Sequence, residues 1–223
     1  MADKDKPRFP VTPRREPTQS RARAAMEAIL DATASQLVER GYDALTTTHV
    51  ASAAGVSVGA VYQYFPNKAA LVTAVARRHA ERMLDVVQRA AMSAGGAPLP
   101  EVVRILCDAL VRANQLDAQL NLVLLKQVAH LGLQHREEME RAARGLVRSL
   151  LAAHASQVVV QDLDTASFVL VALVEGIIYA AILAPDEAPE PDAVREETVA
   201  VVLRYLLGSV PDGSFGPGPA PQI

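Results

Sequence analysis

Apolar residues recur along this chain at spacings of three and four, and sustained two-residue alternation is absent; that pattern predicts helices rather than strands. In the first stretch, from about Arg21 to Arg40, Met26, Ile29, Leu30, Leu37 and Val38 form one stripe. Thr18 or Ser20 stands ready to cap it, and Gly41 to stop it. Two short helices follow at Thr47–Ala54 and Val58–Phe65, then a long one capped by Asn67 and ended by Gly95-Gly96-Ala97-Pro98. Five more fall at Leu99–Asn114, Ala118–Leu131, Arg136–His154, Leu163–Leu183 and Pro191–Leu207. The short β-branched run Gln157–Val160 does not make a convincing strand. The expected fold is all-α, with about nine helices between a Pro- and Arg-bearing arm (1–19) and a Gly/Pro-rich disordered tail (208–223).

Within this series lies Gly55-Val56-Ser57-Val58-Gly59, which fits two incompatible patterns. As G-x-S-x-G it would be a hydrolase nucleophile elbow with Ser57 as nucleophile and His49 or His79 as base; that elbow needs a strand running into the turn. The residues before Gly55, "THVASAA", have helical spacing, and the chain offers no strands for the parallel sheet behind such an elbow. As a helix-turn-helix, every residue has a place. Thr46 caps the first short helix, and Val50, Ala51 and Ala54 let the two helices cross closely. Gly55 turns the chain in a left-handed conformation, Val56 enters the core, and Ser57 caps the second helix. Val61 and Phe65 face inward, leaving Val58, Gly59, Tyr62 and Tyr64 outward.

Composition changes this picture little. Half of the 223 residues are hydrophobic, which is enough for a sizeable core. The single Cys107 cannot pair within the chain, and Met1–Pro10 has no apolar signal region; both fit the cytoplasm. The net charge of −3 argues against a uniformly basic nucleic-acid binder, so any such contact belongs at the mildly basic front end.

The run Ile29–Val72 resembles the DNA-binding region of TetR/AcrR-type transcriptional regulators. The resemblance rests on Gly41-Tyr42, Thr46-Thr47, Ala54-Gly55-Val56-Ser57, Gly59, Tyr62, Tyr64-Phe65 and Lys68. It implies a helix-turn-helix DNA-binding domain at 20–66 and an effector-binding and dimerisation domain at 67–207, with the helix at 67–94 as link. It implies phosphate contacts from Thr47, Tyr62 and Lys68, close approach at Gly59 and Ala60, and base or rim contacts from Thr48 and Tyr64. The partners implied are double-stranded DNA with a palindromic operator, a small-molecule effector and a second copy of the chain. Two positions depart from the common pattern: Val58 replaces a polar or basic residue, and Thr48 a longer one. Neither can make bidentate bonds to a purine, so part of the readout is expected from apolar contact and DNA shape. Arg14, Arg15, Arg21 and Arg23 are either a minor-groove arm or a solubilising tail.

Beyond residue 72 the resemblance extends only to helix number and length. Polar groups set in apolar runs (Cys107, Gln127, His130, Glu175 and Tyr179) are the effector-contact candidates, and their surroundings favour an apolar or aromatic ligand. The four-residue charge series Arg104, Asp108, Arg112 reads as a solvated face. Gly176, Ala180 and Ala181 allow close helix approach and, with Val201 and Tyr205, are the candidate dimer interface. Phe168–Ala184 is apolar apart from Glu175 and approaches the length of a membrane span. Its acidic flanks point instead to a core helix buried on every side, and no membrane association is expected. His130 and His135 lack metal spacing, and neither metal nor cofactor is expected. The alternatives to a regulator are a Ser57 hydrolase and a helical dimerisation or adaptor protein without DNA contact.

Overall fold

A computed structural model describes residues 20–127, 133–184 and 186–208. The proposed arm and nearly all of the proposed tail lie outside these residues. Among the described residues there are nine helices and no strand: α1 Ser20–Ala44, α2 Thr47–Ala54, α3 Val58–Tyr64, α4 Lys68–Ser93, α5 Leu99–Leu116, α6 Ala118–Gln127, α7 Leu133–Ala153, α8 Leu163–Leu183 and α9 Pro191–Leu207. The residues at 157–160 are not a strand; the Val159 N–H donates to the Leu206 carbonyl at 2.8 Å.

The chain divides into two compact units, and the division differs from the expected boundary at residue 66. The first unit holds α1–α3, α4 as far as Glu81, and the segment Ala118–Glu137 with α6. Its core joins Ile29, Leu30 and Leu37 of α1 to Leu45, Val50, Val61 and Phe65, and to Leu71, Val72 and Val75 of α4. Leu120, Val123 and Leu124 of α6 pack against this core, so α1–α3 gain two further walls, from α4 and α6. A fully buried side chain such as Phe65 contributes roughly 1.5–3 kcal/mol. Polar bonds fix the arrangement. Arg78 of α4 reaches Glu27 at 2.9 Å and Asp31 at 2.8 Å on α1, and His79 of α4 meets Asn121 of α6 through Nε2 and Oδ1 in the interior.

The second unit comprises Arg82–Asp117 and the chain from Glu138 onward. Leu99, Val103 and Cys107 of α5, Leu151 of α7, Ala166 and Leu170 of α8, and Leu203 and Leu206 of α9 make its core. α8 begins at Asp162, whose carboxylate accepts the Asp164 and Thr165 N–H groups at 3.0 and 3.1 Å and the Thr165 hydroxyl at 2.6 Å. These bonds hold the Asp162 carboxyl below its ordinary value of 3.8.

One expectation fails here. α8 is the one described helix long and apolar enough to cross a membrane, but it is not buried on every side. Only Ala166, Ser167 and Leu170 are buried, while Phe168, Val169 and Leu183 are exposed. A uniformly apolar helix at the edge of a unit can cover only the face that meets its neighbours.

Candidate nucleic-acid interface

The residues around Gly55 decide between the two readings of the motif. The Thr46 hydroxyl accepts the His49 N–H at 3.2 Å and opens α2. α2 ends at Gly55, which sits at φ 67°, ψ 29°, the left-handed region where a side chain is disfavoured. The Ser57 hydroxyl then accepts the Ala60 N–H at 3.1 Å and opens α3. Ser57 caps a helix, and a helix, not a strand, leads into its turn. Asn67 repeats the device for α4, its side-chain oxygen accepting the Ala70 N–H at 2.8 Å.

The face that α3 leaves outside carries the residues expected there. Val58 is 36 % exposed and Tyr62 44 % exposed, while Val61 is fully buried beneath them. Gly59 is exposed, and Ala60 and Tyr64 are half-buried. The Tyr64 ring lies 6.5 Å from that of Phe65, so its body belongs to the core edge. Thr48 is exposed and Thr47 half-buried at the start of α2. The hydroxyls of Thr47 and Tyr62 are 3.2 Å apart, which brings two of the expected phosphate contacts to one point.

Lys68 takes a place the sequence did not suggest. Its ammonium donates to the carbonyls of Tyr42 at 2.8 Å and Asp43 at 3.2 Å, and stands 4.4 Å from the centre of the Tyr42 ring. A cation placed on the last carbonyls of a helix complements both its unpaired acceptors and its dipole. Arg21 and Arg23 are exposed on α1; Arg14 and Arg15 lie outside the described residues.

Four of the five effector candidates lie among the described residues, one in the first unit and three in the second. Cys107 lies in the core of the second unit, and burial pushes its thiol up to about 11, with the nearby Arg195 pulling it down and Asp108 adding to the rise. Glu175 and Tyr179 are half-buried on α8. Gln127 belongs to the first unit, where its Oε1 accepts the Tyr42 N–H at 2.7 Å. His130 lies outside the described residues. The charge series on α5 is not wholly solvated. Asp108 pairs with Arg112 at 2.8 Å and also with the mostly covered Arg195 of α9 at 3.2 Å. Among the described residues no group of His, Cys, Asp and Glu could hold a metal ion.

Two family models match the chain and together take in most of it. Residues 29–75 match the bacterial regulatory proteins of the tetR family, and residues 98–206 match the tetracyclin repressor-like C-terminal domain. The chain belongs to the TetR family of transcriptional regulators. TetR-family proteins are not enzymes, so the hydrolase reading of Ser57 falls on this ground as well as on geometry. Curated relatives include the HTH-type transcriptional repressor KstR of Mycolicibacterium smegmatis, 41 % identical over 76 residues, which are 34 % of this chain and 37 % of that protein. KstR of Rhodococcus jostii is 36 % identical over 92 residues, 41 % of this chain and 42 % of that one. The chain thus spans about two-fifths of the length of the curated relatives it matches. Solved structures share the TetR-family fold over much more of their length. FadR, the fatty acid degradation regulator of Bacillus halodurans, has a TM-score of 0.68 at 17 % identity, covering 84 % of this chain and 97 % of that one. The SmeT–triclosan complex has a TM-score of 0.65 at 21 % identity, covering 90 % and 98 %.

Proposed function

We propose that this chain is a homodimeric, sequence-specific DNA-binding regulator acting in the cytoplasm. In this reading it is a repressor released from a palindromic operator by a small, largely apolar or aromatic effector. The observation that carries the DNA-binding part is the pairing of an exposed α3 face with the Thr47 and Tyr62 hydroxyls, 3.2 Å apart at its edge. A second helix of a helix-turn-helix enters the major groove while neighbouring hydroxyls bond the phosphates that fix its register. Gly59 and Ala60 keep the approach close, and Val58 offers a methyl-sized apolar contact of the kind thymine accepts. Lys68 serves this interface indirectly, by holding the end of α1 on which α2 is set.

The dimer reading rests on α8 and α9. Gly176, Ala180, Val201 and Tyr205 are exposed, Ala181 is half-buried, and the exposed Phe168, Val169 and Leu183 extend the same apolar character along α8. A second copy covers such surface at little cost, whereas the acidic residues Asp162, Asp164, Asp186, Glu187 and Glu190 beside it disfavour a bilayer. Effector binding is assigned to the second unit, whose Leu- and Val-rich core favours an apolar molecule. SmeT, of the same fold, has been solved with triclosan, which supports a small-molecule effector as the class.

The test is selection of duplexes from a randomised library by the full-length protein, followed by gel shifts on the winners. Wild type should enrich a site with twofold symmetry, and Tyr62→Ala should bind it at least about tenfold more weakly. Failure to enrich any sequence would leave an adaptor without DNA contact as the better reading.

A further inference from the structure

The backbone leaves α1 at Gly41, where φ is 74° and ψ is 173°, and resumes helical turns through Ala44 before α2 begins. What fixes the chain at that break are two side chains from elsewhere in the first unit. On one side the Tyr42 N–H donates out of its own helix to Oε1 of Gln127, the last residue of α6, at 2.7 Å. On the other, the Tyr42 carbonyl receives the Lys68 ammonium from the start of α4 at 2.8 Å. Both backbone polar groups of Tyr42, on the two peptide units that flank it, are thereby held, the N–H by α6 and the carbonyl by α4. The fit at Gln127 is close: a Cβ at Gly41 would come within 3.0 Å of the same Oε1.

We propose that Gln127 is a latch. Its side-chain amide sets the angle at which the helix-turn-helix leaves α1, and it ties that angle to the position of the C-terminal turn of α6. This rests on the DNA-binding reading above and assigns Gln127 a positioning role in place of effector contact. Thr47 lies five residues beyond Tyr42, so the latch sits a short distance along the chain from the element that, in that reading, spans the DNA backbone. A hydrogen bond of this kind is lost when its partners separate by about 1 Å, so a small shift of α6 is enough to release it. The Tyr42 carbonyl then keeps its bonds from the Lys68 ammonium and the Leu45 N–H, while its N–H loses the tie to α6.

The experiment uses the full chain, the duplexes enriched from the randomised library, and three variants. Gln127→Met keeps the shape and removes the acceptor; Gln127→Glu keeps an acceptor for the Tyr42 N–H; Lys126→Ala, at the exposed neighbouring position, is the control. The latch predicts that Gln127→Met binds about three- to tenfold more weakly, with faster hydrogen exchange at the Tyr42 amide. Gln127→Glu and the control should keep wild-type values of both. The proposal is overturned if Gln127→Met binds as wild type does, or if Gln127→Glu loses as much affinity as Gln127→Met. If wild type enriches no duplex, it is the DNA-binding reading that fails, and Tyr42 exchange in the free protein still decides whether the latch exists.

Discussion

At Gly59 the fold has no use for glycine. The residue is not in the left-handed region, and a Cβ built there meets nothing nearer than the Ser57 hydroxyl at 3.9 Å. Glycine in a helix costs up to about 1 kcal/mol relative to alanine, and in the proposed DNA-binding reading it is close approach to the bases that calls for it here. Gly59→Ala should therefore melt at the same temperature as wild type or slightly higher, yet bind the enriched duplex about tenfold more weakly; unchanged binding would refute close approach at this position. Gly55 is the opposite case, held left-handed by its turn. The same contrast explains what the sequence made legible. Thr46, Ser57 and Asn67 could be named as caps because each accepts from an N–H three residues ahead. The partners of Lys68 and Gln127 lie 26 and 85 residues away, and no local pattern announces them.

Among the elements, α8 is the clearest test of how much a local cap matters to a helix with little burial. α2, α8 and α9 fall where periodicity put them, because each is bounded by a cap, a glycine or a proline close to its ends. Gly41 does interrupt the long α1 where a glycine stop is expected, with φ 74° and ψ 173°, and what the pattern does not announce is the short helical piece that follows it through Ala44. The division into units was not legible either, because α6 joins the N-terminal core through apolar positions that would suit any neighbour. For α8, Asp162 supplies three bonds at the start, and its carboxyl is depressed by the Thr165 hydroxyl first and the backbone N–H groups after. A depressed folded-state value means stabilisation that is present above pH 3.8 and is lost as pH falls through that lower value. Asp162→Ala should thus lower the melting temperature by a few degrees at neutral pH, and the gap to wild type should narrow below about pH 3.8. A gap that is the same at pH 7 and pH 2.5 would show that the cap is not acting through its charge.

For the whole molecule, the decisive quantity is the apolar surface that one chain leaves open. Phe168 at 55 %, Val169 at 38 % and Leu183 at 43 % exposure lie on α8, and Val201 at 41 % lies on α9, the helix that joins it in the same core. Single exposed apolar residues need no explanation, but a helix apolar on nearly all sides does. In the proposed reading a second copy covers both helices at once and supplies a second recognition helix, where a single one would bind a half-site weakly. Ala180→Asp with Val201→Asp places two charges at exposed positions, so the core of the chain should survive with its helix content by circular dichroism intact. Sedimentation at micromolar concentration should then show a monomer where wild type shows a dimer. Affinity for the enriched symmetric duplex should fall by on the order of a hundredfold, because the second half-site no longer adds to the first. A single half-site duplex should be bound about equally by both proteins, which separates loss of pairing from damage to α3. If the doubly substituted protein still sediments as a dimer, another surface joins the copies. If wild type instead floats with anionic or neutral vesicles, the apolar face of α8 answers to lipid, not to its own copy.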